Sequence, residues 1–220
     1  MDVIEALKTR KSIRGYKKDP VSKETVCKIL ETAVRAPSAY NTQPWEFVVA
    51  SGKMLDQIRE ECAGLFMSNA LPSNNEGQRP PFEGVYRERQ MAVGIELFKL
   101  MGIGREDKDA RNKWVLRNIR MCEAPCEIVV CAKKEMLYHS DIMGLGAVCQ
   151  SICLAALGYD LGTCIAGIPY DQVWRKYANI PESKSVVVGI AMGYPDPEFA
   201  ANKLASTRES VDAVTTWFGF

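Results

Sequence analysis

The chain has 220 residues, 47% of them hydrophobic and 25% charged, which suits one domain with a sizeable core. Its 28 basic and 27 acidic residues leave a net charge of +1, so nothing in the total asks for a nucleic acid or an anionic membrane. Asp2, Glu5, Lys8 and Arg10 interrupt the stretch where a secretory signal would need an apolar centre, and a cytoplasmic protein is the simplest expectation.

In chain order, residues 2–9 read as a short helix with Val3, Ile4 and Leu7 on one face. Ser22 is a good N-cap for a second helix, whose stripe is Val26, Ile29, Leu30, Ala33 and Val34 and which Pro37 stops. Phe47 to Ala50 reads as a strand, and Leu55, Ile58, Cys62 and Leu65 mark a third helix. Residues 68–84 have loop composition. Residues 85–121 suggest two amphipathic helices broken at Gly102-Ile103-Gly104. Glu127 to Ala132 is a strand entered through Pro125. Ser140-Asp141 caps a helix running to Leu157, apolar nearly all round and therefore expected to be buried. Its run Ile142 to Leu157 is short for a bilayer span. Leu161 to Ala166 is a further strand, Tyr170 to Tyr177 a short helix, and Ser185 to Met192 a Val-rich strand with two apolar faces, hence central. Mixed helices and strands with few βαβ alternations predict an α+β domain over 1–220. Trp217, Phe218 and Phe220 end the tail that begins at Pro197; aromatics there need something to bury against, such as another subunit.

Eight cysteines (Cys27, Cys62, Cys122, Cys126, Cys131, Cys149, Cys153, Cys164) form no C-x-x-C, and most sit among apolar neighbours. The spacing of four in Cys122/Cys126 and Cys149/Cys153 would put each pair on one helical face, but free cysteine as a small hydrophobe is the simpler reading, and no metal is expected. His139, the sole histidine, reads as a loop residue.

Two segments carry chemistry. Arg10, Lys11 and Arg14 set three cations around Ser12. Alone they are what a helix C-terminus attracts; as a site they suit phosphate oxygens. Pro37 to Trp45 would pass for a helix stop and a turn, yet Ser38, Asn41, Thr42 and Gln43 supply the donors and acceptors that a heterocycle edge needs. Gly158 to Pro169 holds three glycines that let a backbone approach a flat ring closely.

Arg10-x-Ser12-x-Arg14, Ala36-Pro37-Ser38-x-x-Asn41-x-Gln43-Pro44-Trp45, Leu157-Gly158, Ile165-Ala166-Gly167 and Gly189-x-x-x-Gly193-Tyr194-Pro195 resemble, in order and spacing, the FMN-dependent nitroreductase family. The resemblance covers roughly residues 1–50 and 124–195, plus Arg208. It implies an α/β sandwich with a central, mostly antiparallel sheet flanked by helices, in an intertwined homodimer with two FMN sites at its interface. Arg10, Lys11, Ser12 and a C-terminal basic residue would hold the phosphate. Arg208 is the first candidate for that residue and Lys203 the second, with Ser at 206 where the family often has another cation. Arg14 would face the N1/O2 side of the flavin, and the Ala166-Gly167 backbone its N5. Pro37, Ser38, Asn41 and Gln43 would come from the partner. Residues 65–120 would shape the substrate pocket, and 197–220 would reach the other subunit.

The implied activity is NAD(P)H oxidation coupled to reduction of a nitroaromatic, a quinone or another flat acceptor, with ping-pong kinetics. The cofactor would do the chemistry, which accounts for the lack of an acid–base dyad in the sequence. Alternatives are a reductive dehalogenase, an activated-alkene reductase, or a non-catalytic FMN-binding sensor or store. The small flat acceptor itself, and NADH against NADPH, stay open at this stage.

Overall fold

The computed structural model describes residues 2–73 and 80–220. Four strands form one antiparallel sheet in the order β1-β2-β4-β3: β1 is Glu46–Ser51, β2 Cys126–Lys133, β3 Gly162–Ala166 and β4 Lys184–Gly193. The helices are α1 Val3–Thr9, α2 Lys23–Ala33, α3 Gly52–Met67, α4 Gly84–Leu100, α5 Lys108–Ile119, α6 His139–Leu157, α7 Asp171–Ala178 and the single turn α8 Val211–Val214. The α+β expectation, with a central antiparallel sheet and flanking helices, holds.

Alternation along β2 builds two cores. Ile128, Val130 and Ala132 join Val26, Ile29 and Ala33 of α2 and Leu145, Val148 and Ile152 of α6 on one face. Val129 and Cys131 join Leu55 and Ile58 of α3 and Val173 and Trp174 of α7 on the other. Period-2 side chains on a strand covered on both sides require this split. β4 lies between β2 and β3 and is central as expected. A bulge where Val130 faces Val188 and Cys131 faces Val186 shifts the register by one residue.

The predicted caps hold in part. Ser22 Oγ accepts the Thr25 N–H at 3.0 Å. α6 starts two residues earlier than expected: Tyr138 is its N-cap, and Asp141, inside the first turn, accepts the Tyr138 N–H at 3.2 Å. His139 thus opens a helix instead of lying in a loop. The expected loop at 68–84 is seen outside helices over 68–73 and 80–83; its positions 74–79 lie outside the described residues. The pair Cys122/Cys126 lies on a turn and a strand start, whereas Cys149 and Cys153 do share a face of α6, within the core.

By length and composition α6, at 19 residues, is a helix that could cross a membrane. Its inner face is core, while Ile142 and Met143 on its outer face are exposed. Expected burial all round is therefore met on one side only within this chain.

Candidate active site

The segment after α1 lies along the free edge of β3. Ser12 bridges Thr163 in parallel fashion, and the Ile13 N–H donates to the Thr163 carbonyl at 2.9 Å. Gly162 makes this possible: a Cβ there would stand 2.5 Å from Ile13 Cγ1. Further on, Lys17 donates to Tyr194 O at 2.9 Å, and Asp196 donates to Gly15 O at 3.0 Å.

Two side chains fix the strip, and a third joins one of them in fixing the turn beside it. Asn202 is buried and uses both ends of its amide. Its Oδ1 accepts from Arg14 N at 2.7 Å and Gly15 N at 3.1 Å, and its Nδ2 donates to Gly15 O at 2.7 Å and Asp196 O at 2.8 Å. Arg117 of α5 donates to Arg14 O at 3.2 Å and to Cys122 O at 3.0 Å, while its guanidinium stacks on Phe199, 4.5 Å from the ring centroid. Arg59, buried in α3, donates to Arg120 O at 3.1 Å and to Ala124 O. Between those carbonyls Met121, Cys122 and Glu123 all have φ between 52° and 58°. Three non-glycine residues in left-handed conformation cost about 1–2 kcal/mol each, and the two arginines hold the turn closed against that strain.

The strip, this turn and the end of β3 enclose a cavity of about 380 Å³. Arg14, Cys122, Glu127, Cys164 and the Ala166-Gly167 backbone line it. Its floor comes from the ladder register: Glu127, Ala191 and Cys164 stand opposite one another across β2, β4 and β3. The small Ala191 separates the two larger side chains. Gly189 leaves room for the carboxyl, since a Cβ there would be 2.3 Å from Glu127 Oε1.

The electrostatics of this floor are unusual. Glu127 is buried, and its Oε2 has no hydrogen-bond partner among the described residues. Burial pushes its carboxyl well above the ordinary range, with Arg59 only partly opposing. The Cys164 thiol is drawn down to about 7, first by its hydrogen bond with Cys122, then by Arg14, Ser12 and Arg10. Cys122 is pushed up by the same bond and by burial. Tyr16, whose hydroxyl donates to Ile13 O at 2.7 Å, is raised chiefly by burial.

Of the residues singled out from sequence, the structure places Arg10, Lys11, Ser12 and Arg14 on one strip and brings Arg14 together with Ala166 and Gly167. No carboxylate pairs with Arg10 or Arg14 among the described residues. Pro37, Ser38, Asn41 and Gln43 are elsewhere, in an outward turn that rests on α6, where Ser38 meets Gly144. Tyr40, Asn41 and Gln43 all have positive φ, and the Gln43 N–H is held by Ser38 Oγ at 3.0 Å. Arg208 lines a separate groove of about 850 Å³ against α4, its guanidinium donating to Ser206 Oγ at 2.9 Å and to Thr207 O at 2.8 Å. Lys203 follows Asn202 directly, beside the strip.

The sequence reading missed Asn202, Arg117 and Glu127, and missed that Cys122 and Cys164 line one cavity. Only Glu127 had a local signal, a lone carboxylate in an apolar strand.

The donor set suits a flavin mononucleotide. Guanidiniums and a hydroxyl at one end match a phosphate, and Arg14 with the Ala166-Gly167 peptide lines a cavity that a ring system could enter.

Comparison with known proteins agrees. The sequence model of the Nitroreductase family matches residues 7–194. The chain is 29% identical over 222 residues to a chloronitrobenzene nitroreductase of Comamonas testosteroni, covering 97% of this chain and 95% of that protein. A Methanothermobacter thermautotrophicus protein, assigned provisionally as an NADH dehydrogenase/NAD(P)H nitroreductase, is 48% identical over 200 residues, covering 89% and 78%. Among solved structures, the FMN and NADPH-dependent nitroreductase NfnB from Sphigopyxis sp. strain HMH superposes with a TM-score of 0.94 at 26% identity, covering 100% of both chains.

Proposed function

The chain belongs to the nitroreductase family, and from that premise we propose that it is an FMN-dependent NAD(P)H oxidoreductase that reduces nitroaromatic and related flat acceptors by a ping-pong mechanism. The observation that carries this reading is the single cavity shared by the Arg14 side chain and the Ala166-Gly167 backbone, with Arg10 and Ser12 on the same strip.

Bound FMN supplies the hydride and electron chemistry. The protein's part is placement and charge. Arg10, Lys11 and Ser12 would hold the phosphate, with Arg208 or Lys203 as the further cation. Arg14 would put a positive charge beside the ring and so favour its reduction. The Ala166-Gly167 backbone would offer the ring a hydrogen-bond donor. Asn202 and Arg117 hold Arg14 by its backbone, leaving its guanidinium free to serve the ligand.

Pro37, Ser38, Asn41 and Gln43 complete the partner's site in a homodimer. This is supported by their outward position on α6 and by the apolar groups left uncovered nearby and in the tail: Val3, Ile4, Ile142, Met143, Trp217 and Phe218 are all exposed. Residues 65–120 shape the acceptor pocket of the single domain, and 197–220 reach across to the partner. Dependence on reduced nicotinamide suits the cytoplasm.

The test is direct. The purified protein, reconstituted if necessary, is heated and the released flavin identified by mass; FMN is expected. Under anaerobic conditions NADH or NADPH should bleach the bound flavin, and a nitrobenzoate should restore its colour. FAD, an absence of flavin after reconstitution, or a flavin that neither nicotinamide reduces would refute the reading.

A further inference from the structure

Glu127 is the only carboxylic acid among the described residues lining the cavity, and it has no part in holding the phosphate or in placing Arg14. It is buried, and the ladder register gives the direction in which its side chain reaches. On this face of the sheet Glu127, Ala191 and Cys164 form one row, and Val129, Gly189 and Ala166 form the next. Glu127 Oε1 stands 2.3 Å from where a Gly189 Cβ would be, so the side chain leans out of its own row and over Gly189. Ala166 faces Gly189 from β3, one strand spacing or about 4.8 Å away. The carboxyl is thus carried toward the peptide that forms the cavity wall, and any side chain at 189 would take its place.

The carboxyl finds no partner there. Oε2 is sealed from solvent and has no hydrogen bond among the described residues. Nor does any ion pair among them reach Glu127. The polar groups of the neighbouring elements are engaged elsewhere. Arg59 of α3 gives Nε, Nη1 and Nη2 to Arg120 O, Asp56 Oδ1 and Ala124 O. Arg117 of α5 serves Arg14 O and Cys122 O. Cys122 Sγ donates to Asn118 Oδ1 at 3.7 Å, Cys164 Sγ to Ile165 O at 3.9 Å, and the Tyr16 hydroxyl to Ile13 O at 2.7 Å. An ionised carboxylate with neither an ion pair nor a donor for that oxygen is too costly to keep in such a place, so Glu127 holds its proton. Burial, which raises this carboxyl above the ordinary range, acts in the same direction.

We propose that Glu127 is a ring-contacting residue of the flavin site, donating its carboxyl O–H to an acceptor atom of the ring beside the Ala166-Gly167 peptide. This rests on the FMN reading above. Glu127 is an uncharged donor, so its bond strengthens as electrons enter the ring yet adds no charge to the cavity. It works alongside Arg14, whose guanidinium brings a full positive charge to the same cavity. The effect is on the balance between oxidised and reduced cofactor, and the proton stays on the residue throughout.

The experiment starts from FMN-loaded protein, with flavin content fixed first by absorbance. Protein carrying glutamate isotope-labelled at its side-chain carboxyl is compared by infrared spectroscopy with and without FMN, and Glu127→Gln identifies the Glu127 band by its loss. A protonated-acid C=O band is expected in the flavin-free protein, and it should shift when FMN is taken up. Midpoint potentials of loaded wild type, Glu127→Gln and Glu127→Leu are then measured. Glu127→Gln keeps a donor and stays uncharged, so its potential should remain near that of wild type. Glu127→Leu should lose about tenfold in preference for reduced over oxidised FMN, read as a potential about 30 mV lower. A band that FMN leaves unmoved, or a Glu127→Leu potential equal to wild type, overturns the contact. A Glu127→Gln potential well above wild type shows that a negative charge was removed, and overturns the neutral donor. The wild-type band decides even where a variant fails to load. A protein that takes up no FMN at the first absorbance measurement fails earlier and overturns the functional reading, and this proposal with it.

Discussion

Asn202→Ala should do more damage than its place in a short 3-10 turn near the C-terminus suggests. The side chain makes four hydrogen bonds at 2.7–3.1 Å, accepting from Arg14 N and Gly15 N and donating to Gly15 O and Asp196 O. Gly15 is buried, with Phe199 packed where its side chain would be, so the backbone groups freed there would lie away from water. At about 1 kcal/mol net for each bond, the four together are worth about 4 kcal/mol. In a domain of this size that corresponds to a fall of about 8–16 °C in Tm. The measurement is urea unfolding and calorimetry at one fixed protein concentration, since association of any kind would make apparent stability depend on it. Flavin affinity should fall as well, because the Arg14 backbone loses its anchor. A loss below about 1 kcal/mol, or full destabilisation with unaltered FMN affinity, would refute the idea that Asn202 ties the cation strip to the rest of the fold.

Gly162→Ala would set a methyl 2.5 Å from Ile13 Cγ1 and 2.9 Å from Pro195 Cγ, so about 1–3 kcal/mol of stability should be lost in urea titration; no change would contradict the close packing of the strip on β3. Arg14→Ala should retain flavin but lower its midpoint potential, and a loss of about 1.4 kcal/mol would appear as about 30 mV; an unchanged or raised potential would argue against a cation beside the anionic edge. Arg10→Ala should weaken FMN binding in fluorescence titration by about 1.5–3 kcal/mol, the range for a charge-assisted bond, and comparing Arg208→Ala with Lys203→Ala identifies the further phosphate cation; an Arg10→Ala affinity equal to wild type removes Arg10 from that role. Cys164 is drawn down from 9.0 to about 7, so its thiolate fraction rises as pH passes about 7. Its contribution to folding is complete above the unfolded value and lost as pH falls through the folded one. Alkylation of Cys164 in the flavin-free protein should therefore be half-maximal near pH 7, and a midpoint at 9 or above would refute the influence of Cys122 and Arg14.

Sequence periodicity was enough for most of the elements. The Val26-Ile29-Ala33 stripe, the Ser22 cap, the central β4 and the break at Gly102 all rest on neighbours within a few residues, which is the range over which caps, turns and side-chain alternation act. Family spacing pointed to Arg10-x-Ser12-x-Arg14, to Pro37–Trp45 and to Ala166-Gly167, each compact in the chain; of these the structure brings Arg14 and Ala166-Gly167 to one cavity and leaves the Pro37–Trp45 turn elsewhere. The start of α6 was misplaced because Ser140 and Asp141 are cap-forming types, yet Asp141 works from inside the helix by taking the Tyr138 N–H.

The rest required the fold. Asn202 lies 188 positions from Arg14, and no local pattern announces that its amide will hold that residue's backbone. Cys122 and Cys164 each read correctly as buried small hydrophobes. They come to line one cavity only because the left-handed turn held by Arg59 and Arg117 meets the end of β3 beside Arg14. Glu127 could be seen as an oddity in an apolar strand, but its orphaned oxygen and its place in a row with Ala191 and Cys164 follow from strand order and register. Sequence determined which groups the chain carries and the local structure around them. Tertiary structure decided which of those groups share a low-dielectric space, and charge and reactivity depend on that space because burial and neighbouring charges set the cost of ionisation.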